Sequence, residues 1–456
     1  MSLTKVTYSM IAGASTNVLD FGADPTGVTE CSANIQAAID HAATQGVAGP
    51  KTGPSQGGVV YFPPGVYRIS TTLQMPADPV AAAQFVSLSG SGKTSILSWD
   101  GANNGVMVDF DNGNDECATF IEKLAFQLHG SATGVTGIRT SYSGNSSVNL
   151  CIRENYFKGL GYALDCYTET DQVEFIKNYV LLFQLGGVRM QGVCSNFQFR
   201  DNHFRMGLGW CIEHLGNGAN ILVSGNTMQA ALNTFRGIRL KNMGNFRIMS
   251  NYWENNVAYS NTDGPFVQLE GVHTGTIQDN STTGSVGLYC YTVDTDCYSI
   301  TFGPNYHGVS GGTPVEIIRI AAGAEQIYVL GQQFLSSGQT ANIVTGPRIL
   351  DLGYSHPQYG AYMKAEQAQS AVRAYANIAT LSTATIAQTT DYNGSMFIGV
   401  KQTTESYIYI GIVFSGILTQ IARTNANLTV QLSGTNVNIY NGEGNTRTCE
   451  YWINYL

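Results

Sequence analysis

Charge is scarce in this chain of 456 residues: 12% are Asp, Glu, Lys or Arg, with 23 basic side chains against 32 acidic ones. The resulting net charge of −9 leaves no basic stripe to gather phosphates, which excludes a nucleic-acid partner. No run of 18 apolar residues occurs, so no helical membrane insertion is expected. The start has no cationic segment leading into an apolar one, so no Sec-type signal is expected either. Nine cysteines, an odd number, show no C-x-x-C spacing, which argues against a disulfide framework or a zinc site. Cys151, Cys166, Cys194 and Cys211 fall on or beside apolar stretches and read as buried thiols of a protein made in a reducing cytoplasm. The central region also lacks amphipathic runs of ten or more residues, which excludes helical repeats.

What recurs instead is an asparagine. Asn155, Asn178, Asn202, Asn226, Asn251, Asn280 and Asn305 are separated by 23, 24, 24, 25, 29 and 25 residues. Five residues before each stand Leu150, Val173, Phe197, Ile221, Phe246 and Ile300, interrupted only by Gly275. Three before stand Ile152, Phe175, Phe199, Val223, Ile248, Ile277 and Phe302; two after the earlier ones come Phe157, Val180, Phe204, Met228 and Trp253. Apolar positions two apart describe a strand with one buried face. A period of this size describes a solenoid whose units bury their apolar faces on one another. A side-chain amide both donates and accepts, so amides stacked one rung apart can bond each other and the turn backbone. A second strand lies about thirteen residues before each marker: 163–167, 187–192, 211–216, 237–242 and 266–271. Two strands and several turns per unit predict an all-β fold, a parallel β-helix. The 52 glycines and 25 tyrosines suit a turn-rich β protein, and 43% hydrophobic residues leave ample core.

Ahead of the coils, residues 1–16 form a polar lead-in. Asp20, Gly22, Asp24 and Pro25 predict a tight turn, followed by an amphipathic helix over about 32–45 with Ile35, Ala38, Ile39 and Ala42 on one face. GGVVYFPPGVYRIS (57–70) then reads as strand, turn and strand. SGSGKTS (89–95) imitates a phosphate loop, but the glycine such a loop requires five before Gly92 is Ser87, and the segment reads as a turn.

NVLDFGADPTG, the IQAAID helix and GGVVYFPPGVYRIS together resemble the opening of the pectate-lyase-like β-helix superfamily. With the short LTKVTYSMI lead-in they resemble bacteriophage tailspikes. The match is specific over residues 6–70, and the Asn repeats extend it as architecture to about 353. The resemblance implies a right-handed parallel β-helix over 17–354 whose N-terminal helix caps the first coil. It further implies a homotrimer in the virion tail, joined to the phage tail directly or through an adaptor protein, that binds and usually degrades a bacterial surface polysaccharide outside the cell. The opening motif carries no catalytic residues, so the site has to be argued from the coils.

In the second strands the first apolar residue is expected to face in: Val106, Ile138, Leu164, Val188, Ile212, Ile238, Val267. The next faces out, giving the column Met107, Arg139, Asp165, Arg189, Glu213, Arg239, Gln268. Two further on lies Asp109, Ser141, Tyr167, Gln191, Leu215, Lys241, Glu270. Asp165 and Glu213, two rungs apart, should be about 9.6 Å apart at the backbone, a spacing that suits an inverting glycosidase. The flanking arginines suit Glu213 to the base; Glu270 and Glu254, the latter on the loop after Trp253, are reserve carboxylates. Arg189, Arg239, Lys241, Gln191, Tyr167 and Trp210 are candidate sugar contacts, with Phe183, Phe235 and Tyr259 on neighbouring loops. The same alternation of charge is also how a solenoid avoids repulsion between stacked rungs, and that reading stays open. His214 falls on an inward position and reads as a satisfied core histidine. Asp111, Asp115 and Glu116 lack a defined Ca²⁺ loop and read as a solvated turn. No metal or cofactor is expected.

After ILDLG (349–353) the coils fade. Ala361, Ala365, Ala368, Val372, Tyr375 and Ala379 are spaced by fours and threes, predicting a helical neck over 355–381. From 382 to 456, runs rich in Thr, Ile and Tyr predict a small β-sandwich for trimerisation, sugar binding or capping. Three functions fit: a depolymerase hydrolysing a capsule, exopolysaccharide or O-antigen, a polysaccharide lyase on the same fold, and a non-catalytic adhesin.

Overall fold

In the computed structural model the chain is a parallel β-solenoid followed by antiparallel strands. The structure describes residues 15–44, 56–76, 85–110, 117–140, 147–230, 235–255, 265–284, 289–309, 316–321, 323–329, 333–334 and 349–351, then the strands between 372 and 455. Three parallel sheets run along the solenoid, of fourteen, twelve and ten strands, here called A, B and C. Each central coil contributes one strand to C, then one to A, then one to B. One coil runs Tyr162–Cys166, Thr170–Ile176, Tyr179–Leu181.

The coil therefore has three strands, not the two read from sequence. The corner between A and B takes only two residues, the marker asparagine and the residue before it. That preceding residue is left-handed, with φ of 58° at Glu154, 54° at Lys177, 57° at Asp201, 56° at Ser250 and 56° at Asp279. Only Gly225, at 67°, is a glycine, so no glycine signal marks the corner and the two strands read as one.

The asparagines stack as a continuous buried ladder. Asn202 Oδ1 accepts from the Asn178 backbone N–H at 2.9 Å and from Asn178 Nδ2 at 3.2 Å, while Asn202 Nδ2 donates to the Phe175 carbonyl at 2.7 Å. The same triple recurs at Asn226, Asn251 and Asn280. Each amide thus satisfies the sharp corner of the neighbouring coil, where the backbone has no ladder partner of its own.

The inward columns pack as stacked aromatic and aliphatic rows. Phe126 lies on Phe157 with centroids 4.8 Å apart, and Phe235, Trp253 and Phe266 follow one another at 5.2 and 5.3 Å. Gly275 interrupts the apolar column for a steric reason: a Cβ there would sit 2.1 Å from the Phe246 ring, which fills the space. The helix Ser32–Thr44 buries Ile35, Ala38, Ile39 and Ala42 and packs mainly on the strand Gln56–Phe62. Before it, the Asp24 carboxylate accepts hydrogen bonds from the Thr26 hydroxyl and from the backbone N–H groups of Thr26 and Thr29. These bonds hold the acid well below the usual carboxylate range. Residues 89–95 form the end of one strand, a short 3-10 turn and the start of the next.

Most of the expected neck lies outside the described residues, but Val372–Ile378 is a strand paired antiparallel with Arg447–Tyr455. The helix therefore does not run to 381. Val372, Ala374, Ala376 and Ile378 carry a period of two within the spacing of alanines read as helical. The C-terminal strands form antiparallel sheets of five and three strands.

Truncating one rung tests the ladder. Asn202→Ala leaves the buried N–H of Asn178 and the Phe175 carbonyl without their amide partner. It should cost on the order of 3 kcal/mol, read as a lower urea midpoint with unchanged m-value.

Candidate functional site

The outward face of sheet C gathers most of the candidate residues. Its register is Asp109, Arg139, Asp165, Arg189, Glu213, Arg239, Gln268 across successive strands. The head of the column is Asp109 and not Met107, because Val108, not Val106, pairs with the inward Ile138. Charge consequently alternates without a break over six rungs.

The alternation is realised as ion pairs. Arg139 Nε donates to Asp109 at 3.1 Å. Arg189 holds both oxygens of Asp165, at 3.0 and 2.7 Å, and Gln191 Nε2 adds a third bond at 3.1 Å. Arg239 bridges two acids: Nη1 donates to Glu213 at 3.1 Å, while Nε and Nη2 hold Glu270 at 2.9 and 3.1 Å. Gln268 Nε2 also donates to Glu270, at 2.6 Å. Burial works against the guanidinium charge of Arg189 and Arg239, yet their carboxylate partners outweigh it and raise both above the ordinary arginine value.

These bonds separate the four candidate carboxylates. Asp165, expected to face solvent, is only 4% exposed and fully engaged by Arg189 and Gln191, so it acts as a ladder partner. Glu213 and Glu270 remain accessible, each with its side chain 15% exposed, and Glu213 makes a single hydrogen bond to Arg239. Glu254 is not on this face. It lies in the sheet B strand Tyr252–Asn255 and accepts from Gln229 at 2.7 Å, and Gln229 in turn contacts His203. It was misplaced because the A–B corner is invisible in sequence.

The aromatic candidates divide similarly. Tyr167 is 58% exposed at the edge of the face. Trp210 is largely covered, with the Arg236 guanidinium 5.5 Å from its ring. Phe183 and Phe235 are core residues, and Tyr259 lies outside the described residues. The Asp111, Asp115 and Glu116 group also lies outside them. Sequence reasoning missed Tyr162, over which Arg189 stacks at 4.2 Å. Tyr162 stands two residues before the inward Leu164, a position that strict alternation assigns to the core, so the pattern could not have found it. Lys241 stands 3.9 Å from Glu270. The result is a face where carboxylates and cations alternate along the axis, with the exposed Tyr167 ring at its edge.

Beneath it, His214 is fully buried, its Nδ1 3.0 Å from the Lys241 carbonyl and its Nε2 3.3 Å from that of Cys194. Burial lowers its pKa despite these carbonyls. Cys166, Cys194 and Cys211 are buried thiols, as are Cys31, Cys290 and Cys297, and Cys151 is half-buried.

Residues 15–239 match the family model described as rhamnogalacturonase A/epimerase, pectate lyase-like. No curated protein matches the sequence. Among solved structures, ORF18 of Geobacillus virus E2 superposes with a TM-score of 0.55 at 16% identity, covering 94% of this chain and 78% of that one. DFA-IIIase from Arthrobacter chlorophenolicus A6, in complex with DFA-III, gives a TM-score of 0.54 at 16% identity, covering 74% and 92%. The tailspike protein of Acinetobacter baumannii phage AM24 gives 0.47 at 14% identity, covering 97% and 83%. The first two likenesses establish a fold shared with those two proteins.

Two outcomes follow for this domain. Asp165→Ala strands Arg189 and should cost about 2–3 kcal/mol, less than a fully buried pair because Arg189 keeps a side-chain exposure of 26%. Asp165→Leu with Arg189→Met should recover most of that loss in a double-mutant cycle. For His214 the folded pKa lies below the unfolded value of about 6.5, so the unfolded chain binds more protons. Stability is then full above that pH and falls as pH drops below it. Thermal melts from pH 7.5 to 5 should show a weaker acid slope in His214→Gln than in the parent chain.

Proposed function

We propose that this protein binds a bacterial surface polysaccharide along the outward face of sheet C and cleaves it by endo-glycosidic hydrolysis. The observation that carries the reading is the pairing of accessible Glu213 and Glu270 across Arg239 on a face edged by the exposed ring of Tyr167. Rings of this kind stack on the apolar faces of sugars, and Arg189, Gln191 and Lys241 donate to hydroxyl or carboxylate oxygens. Glu213, held at one oxygen only, is the carboxylate placed to activate water, and Glu270 is the second member of the pair. Asp165 positions Arg189. The rhamnogalacturonase and pectate-lyase wording of the matched family supports a glycan substrate. The likeness to a Geobacillus virus protein over nearly the whole chain supports a viral protein, which in this proposal acts outside the cell as a homotrimer in the virion tail, joined to it directly or through an adaptor.

One observation favours a second reading. Asp165, Glu213 and Glu270 all accept hydrogen bonds from arginine, so each carboxylate on the face has a cation beside it. A lyase needs cations opposite a uronate and a base for the α-proton, and Arg239 and Lys241 lie on the face to meet one.

Digestion of a panel of capsules and O-antigens, followed by reducing ends and by ultraviolet absorbance of an unsaturated uronate, separates the readings. Ends without absorbance are expected for the hydrolase, ends with absorbance for the lyase, and binding without either signal identifies an adhesin. Glu213→Gln should lower cleavage at least about 100-fold with binding retained; an unchanged rate removes Glu213 from the chemistry.

A further inference from the structure

Sheet A carries a feature that the sheet C chemistry does not use. In the strand region just before the inward column, Gln172, Asn196, Asn220, Asn245, Thr274 and Ser299 are all left-handed, with φ between 52° and 60°. L-residues rarely adopt this conformation, Asn excepted, and here it is repeated at one register position. Along this register the exterior of sheet A forms a trough lined by residues of successive coils.

The trough holds two cavities of about 520 and 630 Å³ that share Asn196 and Gln198 as lining residues. They extend from Asn149 at one end to Thr301 at the other. Seven neighbouring strands span roughly 29 Å at ~4.8 Å per rung, room for an extended chain of several sugar rings.

Its chemistry is that of a neutral polyhydroxyl ligand. The walls are amides and hydroxyls, Gln198, Asn220, Asn245, Thr276 and Thr301 among them, groups that both donate and accept as sugar hydroxyls do. The two charged lining residues balance, Glu174 against Arg247, and Glu174 lies 3.6 Å from Arg200. The amides are held in place: Asn196 Nδ2 donates to Asp171 at 2.7 Å, and Asn220 Nδ2 donates to Asn196 Oδ1 at 3.0 Å. Each amide keeps a further donor or lone pair for a ligand. At one end the His273 ring stacks on Tyr298 at 5.0 Å, and Tyr298 is 46% exposed beside Thr274 and Ser299. This supplies the ring surface against which a sugar face packs.

We propose that the sheet A trough is a second glycan-binding groove, selective for uncharged polysaccharide chains and separate from the sheet C face. The full-length protein and three variants, Leu222→Trp to fill the trough, Gln198→Ala with Thr276→Ala to strip its walls, and Glu213→Gln as control, are tested on an array of neutral and uronate-containing bacterial oligosaccharides. Circular dichroism melts and sedimentation accompany each variant. Both trough variants should keep the parent's melt and assembly state and lose tenfold or more in binding to neutral oligosaccharides, while Glu213→Gln keeps that binding. Unchanged neutral binding in both trough variants overturns the proposal. So does binding confined to uronate-containing chains. A change of assembly state in Leu222→Trp would show the trough to be a contact between copies of the chain, and would also overturn it. Because the readout is binding, the trough is judged whether or not sheet C proves to be hydrolytic.

Discussion

Everything in this solenoid depends on satisfying the backbone at a corner that is two residues long. A left-handed residue turns the chain from sheet A to sheet B, and the amide behind it closes the corner of the adjoining coil. Because each asparagine serves its neighbour as well as its own coil, the coils are held at one register. That shared register aligns the inward rings from Phe126 to Tyr291 and stacks the outward side chains of every sheet into columns. The functional faces are consequences of the ladder.

Stacking in columns forces an electrostatic solution. Like charges one rung apart repel, and sheet C answers with strict alternation from Asp109 to Arg239. The pairs are unequal in what they leave accessible. Asp165 is sealed by Arg189 and Gln191, whereas Arg239 is shared between Glu213 and Glu270 and leaves Glu213 with one bond. The ladder thereby leaves two partly exposed carboxylates, Glu213 and Glu270, on either side of Arg239. Along its trough, sheet A meets the same requirement largely with neutral amides and hydroxyls.

The solenoid was legible in sequence because the asparagine recurs at its corner together with its apolar neighbours. The charged column was legible from Arg139 onward because alternation along a strand is geometric. Three things were not. The corner before Asn155 and its successors uses Glu154, Lys177 and Asp201, residues that announce no turn, so Glu254 was assigned to a loop when it lies on a sheet B strand. Asp165 alternates outward, yet its cover comes from the neighbouring strand's Arg189 and Gln191, which no single-strand pattern reveals. The trough on sheet A rests on left-handed Gln172, Thr274 and Ser299, whose conformation is imposed by the coil and not by residue preference.

The most direct test is the structure of the Glu213→Gln variant bound to an oligosaccharide from its cognate polysaccharide. The account predicts a glycan chain lying along sheet C, with a ring against Tyr167 or Trp210 and a glycosidic oxygen beside residue 213. A chain bound only on sheet A or sheet B, with the Arg239 bridge untouched, would contradict it.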